Sequence, residues 1–353
     1  MSEVKLIPFE ARYIPAYLSF AKKHFGEGSY QSTPAYLLWL YEHNPWATRG
    51  YRSCLIGLNA REEVIGCVHK MYQRCWRDGE AVLFPAIHNL AVRKNYRTGL
   101  GSLLLLSSLG GEEIAFMPGV ARHQTQMYER LKFRELKPRW YRSPVRPLRG
   151  PYRVLRHKFF SYGKSPIPRT VRIPTALSDI DEKEVRCVIH PSDEDLSSLL
   201  SLLQSAGAKG PLSPVWTLDW LKWRFFHPKG PKHILIAEGM AKGAIRGFGL
   251  LSVGPHRGAI VARLVHVTAP QSESVRRILG AAKRIARRSG DFMLGYSNDP
   301  QLQRWFEETG WHPSGPQPRS YIFSKKKLSA EIQCRVGPES GDFGFEAIST
   351  EWN

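Results

Sequence analysis

The feature that most constrains this chain of 353 residues is an internal repeat. Residues 36–45 (YLLWLYEHNP) are similar to residues 220–228 (WLKWRFFHP). A fixed order of similar blocks predicts two copies of one folding unit, and the chain is longer than one hydrophobic core usually serves. Three further pairs of blocks follow in the same order: 53–72 with 233–253, 86–92 with 261–267, and 126–133 with 304–311.

Each copy combines helical and strand patterns. Residues 53–72 and 233–253 each contain an apolar run, a polar turn and a second apolar run, which predicts a β-hairpin. The fold class expected is α+β, with each unit a mixed, mostly antiparallel sheet flanked by helices. In the first copy we expect helices near 12–24, 34–42, 99–109 and 122–131, and strands near 53–59, 64–76, 82–92, 112–117 and 133–142.

The distribution of charge indicates the boundaries between the copies. Fourteen Lys and Arg but one acid, Glu135, occur between residues 130 and 172, together with many prolines. Proline at that density predicts an extended connector, and an acidic stretch follows it. We expect a first domain at 1–142, a basic linker rich in proline and aromatic residues at 143–178, a second domain at 179–328 and an acidic tail at 329–353. One arrangement open to the tail is a strap across the basic surface.

The overall charge is strongly positive. The sequence has 51 Lys and Arg against 31 Asp and Glu, a formal charge of +20. This balance points to a polyanionic partner: nucleic acid, an anionic membrane surface or a phosphate-bearing ligand. The longest aliphatic run, 103–106, is too short for a transmembrane segment, and the N-terminus shows no secretory signal. The five cysteines are scattered without the spacing of a zinc site. We therefore expect a cytoplasmic chain without a metal.

Two glycines mark a candidate phosphate-binding loop. Gly99 and Gly101 lie where a predicted strand ends and a helix begins. Glycine there lets backbone N–H groups approach a phosphate, and the helix N-terminus adds partial positive charge. Arg93, Lys94 and Arg97 lie in the same turn. The alternative is a tight strand-to-helix turn without a ligand.

Residues 90–106 (LAVRKNYRTGLGSLLLL) and the Tyr128-x-x-Leu-x-Phe133 pattern resemble the GNAT acyltransferase superfamily. The resemblance covers residues 1–142, and residues 190–327 by architecture. It implies acetyl-CoA or another acyl-CoA as co-substrate. Two positions depart from the family pattern: Tyr96 replaces an Arg or Gln, and Lys132 stands where glycine is common. The residues that the resemblance assigns to the co-substrate are Leu90, Ala91, Val92, Arg97, Thr98, Gly99, Leu100, Gly101 and Ser102.

Acyl transfer from a thioester to an amine needs a base, a donor for the oxyanion and a partner for the leaving thiolate. The resemblance implies that a backbone N–H between Leu90 and Val92 serves the oxyanion and that Tyr128 serves the thiolate. A packed, amphipathic tyrosine is the alternative for Tyr128. His88, on the central strand in phase with Ala86, Leu90 and Val92, is our candidate base, and a satisfied core histidine is the alternative. His123, Glu112 and Glu113 are weaker candidates.

The second copy lacks the loop. It reads VTAPQSES, without glycine and with Pro270, which has no N–H to donate, and Phe306 stands where the first copy has Tyr128. We predict that it binds coenzyme A poorly or not at all. Its basic residues at 276–288 form either a solvated helix face or a phosphate or RNA contact. Trp39 with Trp223 and His43 with His227 occur in both copies, which favours a scaffold role.

Three functions compete at this point. The first is an N-acyltransferase that moves an acyl group, expected to be acetyl, from acyl-CoA to an amine of a small molecule such as an amino-sugar nucleotide or amino acid. The second is a Fem-like peptidyltransferase that takes its acyl group from aminoacyl-tRNA, with RNA or another polyanion held by residues 130–172 and 276–288. The third is a non-catalytic basic binding module on the same scaffold.

Overall fold

The computed structural model describes most of the chain. Among the described residues, no helix is long and apolar enough to cross a membrane. The described residues are 4–97, 99–136, 138–160, 170–171, 173, 184–206, 212–239, 245–256, 258–314, 319–326, 338–341, 343, 345–349 and 351–352.

The elements of the first half follow the predicted order. Helix α2 begins where the Thr33 side chain accepts a hydrogen bond from the Tyr36 N–H and Pro34 occupies the first helical position. The elements are β1 (Lys5–Pro8), α1 (Ile14–Phe25), α2 (Pro34–Tyr41), β2 (Leu55–Leu58), β3 (Val64–Met71), β4 (Arg74–Arg77), β5 (Glu80–Leu83), β6 (Ala86–Val92), α3 (Leu100–Leu109), β7 (Ile114–Val120), α4 (Thr125–Arg130), β8 (Arg134–Leu136), β9 (Arg139–Pro144) and α5 (Arg149–Phe160).

The second half repeats the central part of this series, and its strands β14 and β15 are longer than β3 and β6. The α7 helix continues as a π-helical turn at Lys222–Phe226. The elements are β10 (Thr170–Val171), β11 (Val185–Val188), α6 (Asp193–Ala206), β12 (Leu212–Pro214), α7 (Leu218–Leu221), β13 (Ile234–Glu238), β14 (Gly247–His256), β15 (Ala259–Thr268), α8 (Ser272–Ser289), β16 (Phe292–Ser297), α9 (Pro300–Glu308), β17 (His312–Pro313), β18 (Arg319–Ser324) and β19 (Glu351–Trp352).

Two seven-stranded sheets contain most of these strands, and each sheet includes one strand from the other half of the chain. The first has the order β1-β2-β3-β6-β7-β18-β8, and the second β11-β13-β14-β15-β16-β9-β17. All strand pairs in them are antiparallel except β6 with β7 and β15 with β16. The predicted α+β class and the two tandem units are confirmed. The exchange of β9 and β18 was not predicted.

The exchanged strands make equivalent contacts in the two units. Tyr321 of β18 stacks on Tyr128 of α4, with ring centroids 5.1 Å apart. Tyr141 of β9 packs on Phe306 of α9 at 5.0 Å. Both exchanged tyrosines are fully buried, so each unit depends on the other for part of its core. The boundaries at residues 142, 178 and 328 stay a prediction.

The basic segment is more ordered than its proline content indicates. We expected an extended connector, but the described part contains helix α5 over residues 149–160. Pro151 lies in the first turn of this helix, where its missing N–H costs a single helical hydrogen bond, to the Pro147 carbonyl. The Gly150 N–H donates to the Arg146 carbonyl at 3.2 Å, so the helical hydrogen bonding begins before residue 149.

The C-terminal segment lies inside the molecule and is not a surface strap in its described part. Phe345 and Ala347 are fully buried. Phe345 belongs to a hydrophobic core cluster that contains residues of both halves. The buried Arg224 donates from Nε to the Glu339 carbonyl at 3.0 Å and from Nη2 to the Gly341 carbonyl at 3.2 Å. A guanidinium thus satisfies backbone groups that would otherwise lack partners in the core.

Candidate active site

The turn before α3 has the geometry expected of a phosphate-binding loop. Gly99 is the N-cap of α3, with φ of 89°, a left-handed conformation that glycine adopts without strain. A Cβ added to Gly99 would have no heavy atom within 4 Å, and one at Gly101 would meet only Val92, at 3.9 Å. No side chain caps the first amides of α3, and the two glycines leave space for a ligand to approach that end of the helix.

The three cations of this turn differ in exposure and in partners. Arg93 pairs with Glu63 at 3.0 Å, while Lys94 and Arg97 are exposed. The Arg97 guanidinium is 3.5 Å from the Val92 carbonyl, which holds it against the end of β6. Thr98 lies outside the described residues, and Ser102 is half-buried in the first turn of α3. The loop thus presents two exposed positive charges beside the amides.

Strand β6 contains a β-bulge at Asn89, beside the candidate loop. Gly66 pairs with Val92 and Cys67 with Ala91, but His69 pairs with His88, so two residues of β6 face one of β3. Asn89 has φ of 51°, which asparagine tolerates better than most residues.

The bulge changes which side chains share a face. His88 was expected in phase with Leu90 and Val92, and this is wrong because the extra residue at Asn89 inverts the alternation. Ile87, Leu90 and Val92 face α3 in one cluster, while Ala86 and Ala91 belong to the cluster shared by the two units. His88 shares the face of Ala86, away from α3.

Beyond the start of β6, the sheet opens. In the described chain the parallel ladder between β6 and β7 has one register pair, Ala86 with Phe116, next to a hydrogen bond from the Phe116 N–H to the Pro85 carbonyl. The backbone of Leu90, Ala91 and Val92 therefore lies along the part of β6 that has left β7. Backbone groups at such an opening are available to a ligand.

His88 lies in an aromatic, buried environment. It is 5% exposed, its Nδ1 is 3.4 Å from the Tyr36 hydroxyl, and Phe345 packs edge-on against the ring. Its Nε2 has no hydrogen-bond partner among the described residues. Burial, with the nearby Arg224 charge second, lowers the pKa of His88 to about 3. The imidazole is therefore neutral at physiological pH.

The polar residues around Asn89 were missed by sequence reasoning. The Asn89 Oδ1 accepts hydrogen bonds from the Tyr30 hydroxyl at 3.3 Å and the Gln31 amide at 3.2 Å, and its Nδ2 donates to the Tyr36 hydroxyl at 3.0 Å. A chain of contacts thus runs from the bulge to His88 through Tyr36. One signal in the sequence was left unused: an asparagine inside a mostly apolar strand.

Tyr128 is placed on the α3 side of the sheet. It is buried between Phe133 and Tyr321, in the cluster that includes Val92 and Leu100. Burial, followed by the neighbouring Tyr321, raises the pKa of Tyr128. The phenol therefore stays protonated and can donate a hydrogen bond to an anion.

The weaker base candidates are placed elsewhere. His123 is exposed in the turn before α4. Glu112 is buried and pairs with Lys70 at 2.8 Å, while it accepts a hydrogen bond from the Tyr72 hydroxyl at 2.9 Å. A carboxylate that is held by two donors in this way is suited to structure.

The second copy differs at each of these points. Its parallel ladder between β15 and β16 has four register pairs, from Val261 with Phe292 to Leu264 with Gly295, so the strands stay together for longer. The N-cap of α8 is Gln271, and Glu273 lies in the first turn, where a carboxylate would repel a phosphate. These features favour the loss of the coenzyme A site in this copy, which stays a prediction.

Several of the basic residues at 276–288, which lie on α8, have partners within the chain. Arg276 pairs with Glu308 at 2.9 Å, Arg277 pairs with Glu238 at 3.2 Å, and the Lys283 ammonium donates to the Thr309 carbonyl. Arg287 and Arg288 are exposed. The basic residues at 276–283 therefore form a solvated helix face with partners inside the chain.

Comparison with solved structures identifies the architecture. Saccharomyces cerevisiae N-myristoyltransferase with bound myristoyl-CoA aligns over 100% of this chain and 90% of its own, with a TM-score of 0.64 and 9% identity. The chain has the tandem GNAT fold. GCN5-related N-acetyltransferases from Anabaena variabilis (10% identity) and Kribbella flavida (17%) align over 91% of this chain and 72% and 71% of their own, with TM-scores of 0.55 and 0.52. No protein-family model matches the sequence, and no curated protein sequence is significantly similar to it. At these identities the GNAT likeness concerns the fold.

Proposed function

We propose that this chain is an N-acyltransferase that transfers an acyl group from acyl-CoA to a primary amine. The observation that carries the proposal is the free N-terminus of α3 behind Gly99, which lies next to the opening between β6 and β7. Phosphates bind well at such a helix end, and an extended thioester arm can pair with the freed backbone of β6. The second copy lacks both features.

The chemistry follows from the placement of the groups. The amine attacks the thioester carbonyl, and a backbone N–H between Leu90 and Val92 stabilises the oxyanion. The tetrahedral intermediate then collapses with cleavage of the C–S bond, and the protonated Tyr128 phenol donates to the departing thiolate. Loop residues Arg97 to Ser102 hold the pyrophosphate.

His88 is proposed to hold the Tyr36 hydroxyl beside the acceptor amine, and the amine proton leaves to solvent as the C–N bond forms. The Asn89 amide donates to the Tyr36 oxygen, and the Tyr36 hydroxyl lies 3.4 Å from the neutral His88 Nδ1, which can accept a hydrogen bond from it. With a pKa of about 3, His88 is a weak base. We therefore expect the acceptor to bind as the free amine, with His88 and Tyr36 positioning its proton.

Acetyl-CoA is the first donor to test and myristoyl-CoA the second, because the solved N-myristoyltransferase binds the latter. Ligand that binds only the folded chain stabilises it by about 2.7 kcal/mol at 100 times Kd, which raises Tm by several degrees. No shift with either donor at millimolar concentration would refute the proposal. It would also favour an aminoacyl-tRNA donor or a non-catalytic module.

A matched pair of variants locates the site. Gly99 and Gly111 both have positive φ, 89° and 88°, and both face open space, but they lie at opposite ends of α3. Gly99→Glu and Gly111→Glu should therefore cost similar stability. Only Gly99→Glu should abolish the acyl-CoA shift, because its carboxylate would occupy the phosphate position. Equal shifts in both variants would place the site elsewhere.

A further inference from the structure

Helix α5 presents a line of large apolar side chains to solvent. Leu148, Tyr152 and Leu155 are 87%, 64% and 52% exposed. The Tyr152 N–H donates to the Leu148 carbonyl, which extends the helical turn back to Leu148. At spacings of four and three, these side chains lie on one side of the helix, together with the exposed Pro151. We call Leu148, Pro151, Tyr152 and Leu155 the α5 stripe.

The opposite side of α5 is fixed to the second unit. Arg153 pairs with the buried Asp291 at 2.8 Å, and Arg149 approaches the same carboxylate at 3.4 Å. Gly150 is so close to Phe292 that a Cβ there would be 2.5 Å from the ring. The helix is therefore held in one orientation, which keeps the α5 stripe facing outward.

Positive charge surrounds the stripe. The described side chains of α5 include Arg149 and Arg153 and no acid, and the Asp291 carboxylate balances only one of these two charges. Arg146 donates to the backbone carbonyls of Arg287 and Arg288 at 2.9 and 3.3 Å, which brings these exposed residues to the same corner.

A basic cavity opens beside the start of this helix. It has a volume of about 140 Å³ and is lined by Ser143, Val145, Lys283, Arg287, Gly310 and His312. Val145 precedes Leu148 by three residues, so their Cα atoms are at most about 11 Å apart. A group of phosphate size in the cavity would therefore lie close to the α5 stripe.

We propose that this corner binds the surface of an anionic lipid bilayer. The α5 stripe enters the boundary between headgroups and acyl chains, and Arg287 and Arg288 contact the headgroup phosphates. A short amphipathic helix with an apolar face beside basic residues is the usual means of such binding. The inference is independent of the proposed acyl transfer.

Charge and composition favour a membrane over other occupants. Base stacking on single-stranded RNA needs exposed aromatic rings, but leucine and proline make up most of the stripe. A second copy of the chain would bring like charges together, since the surrounding residues are arginines. Lipid phosphates match the arginines, and acyl chains match the leucines.

The test is co-sedimentation of the full chain with vesicles of phosphatidylcholine alone and with 30% phosphatidylglycerol. We expect binding to the anionic vesicles that weakens with salt, and little binding to the neutral ones. Leu148→Ser/Tyr152→Ser/Leu155→Ser should reduce the partition coefficient about tenfold or more. Arg287→Gln/Arg288→Gln should have an effect of about the same size, and the Arg146 contacts to the backbone remain possible.

Leu103→Ser/Leu106→Ser is the matched control, because these leucines are 56% and 47% exposed on α3, which packs on the first sheet, whereas α5 is paired with Asp291 of the second half. It should bind like the parent. If the triple variant misfolds by circular dichroism, Leu148→Ser alone replaces it. Equal vesicle binding by the stripe variant and the parent would overturn the proposal. It would also be overturned if the stripe variant lost dimerisation or RNA binding but still bound vesicles.

Discussion

Trp39 and Trp223 stack face to face with ring centroids 4.7 Å apart, and each indole N–H donates to the other residue's backbone carbonyl. The two hydrogen bonds are 3.0 and 2.8 Å long, and the planes differ by 10°. The residues are equivalent in the repeat, so they mark the pseudo-symmetric centre of the molecule. Their predicted scaffold role consists in joining the two units to each other.

Replacing either tryptophan with phenylalanine should destabilise the chain by about 1–3 kcal/mol, because one buried carbonyl loses its donor. Trp39→Phe/Trp223→Phe should cost less than the sum of the single changes, since the two share one contact. Denaturant unfolding measures this. Trp305→Phe on α9 is the control, and its effect should add to that of Trp39→Phe within about 0.5 kcal/mol.

Lys132 occupies a left-handed position, with φ of 59°, where the second copy has Gly310 at 74°. The turn is the same in both: the Phe133 N–H donates to the Tyr128 carbonyl, as the Trp311 N–H does to Phe306. We expect Lys132→Gly to stabilise the chain by about 0.5–1 kcal/mol and Gly310→Ala to destabilise it by about 1 kcal/mol. Thermal unfolding tests this, and a loss of Tm in Lys132→Gly would contradict it.

Tyr128→Phe should reduce kcat about 100-fold with acyl-CoA and a primary amine, because the thiolate loses its hydrogen-bond donor. KM for acyl-CoA and the unfolding free energy should change little, since the ring keeps its stack on Tyr321. Steady-state kinetics with thiol detection measures this. Tyr321→Phe retains the same stack and serves as the control. Undiminished turnover in Tyr128→Phe would assign Tyr128 to packing alone.

Stability should fall in mild acid because several histidines are buried as neutral rings. Burial lowers the pKa of His88 and of His233 to about 3, from 6.5 in the unfolded chain. The unfolded state then binds more protons below pH 6.5, so stability present above that pH is lost as the pH falls toward 3. Each ring should cost about 2 kcal/mol at pH 5.

Urea unfolding at pH 7.5, 6 and 5 measures this loss. His88→Gln should make the dependence on pH shallower, whereas the exposed His123→Gln should leave it unchanged. The same shift of His88 predicts that kcat/KM has no inflection near pH 6.5 from this residue. Identical slopes in both variants would mean that His88 is not buried as a neutral ring.

Local patterns in the sequence were sufficient for most elements of the first unit and for the duplication, but not for helix α5. The turn at Gly99 could be predicted because its positive φ favours glycine, and a single glycine is visible in the sequence. The bulge at Asn89 could not be predicted, because the sequence AIHNLAV has an apolar alternation that continues through it. Only the pairing of β6 with β3 reveals the extra residue. This error reversed the side of the sheet assigned to Leu90 and Val92 relative to His88.

The exchanged strands were beyond the reach of sequence patterns for another reason. Residues 133–142 read as ordinary strands that finish the first unit, and Pro138 is the one described residue between β8 and β9. Hydrophobicity predicts that β9 is buried but does not say against which sheet. That choice depends on the edges of β16 and β7, which are far away in the chain.

The exchange has a consequence for how the polypeptide is made. The sheet that holds the candidate site places β18, residues 319–324, between β7 and β8. A ribosome adds residues at about 5–20 per second, so β7 waits on the order of ten seconds or more for its neighbour. In that interval the edge strand β7 of the first sheet has no neighbour on one side. Pairing of this edge with another nascent chain then competes with the pairing of β7 and β18. The enzyme-like half is thus the last to be sealed, although it is translated first.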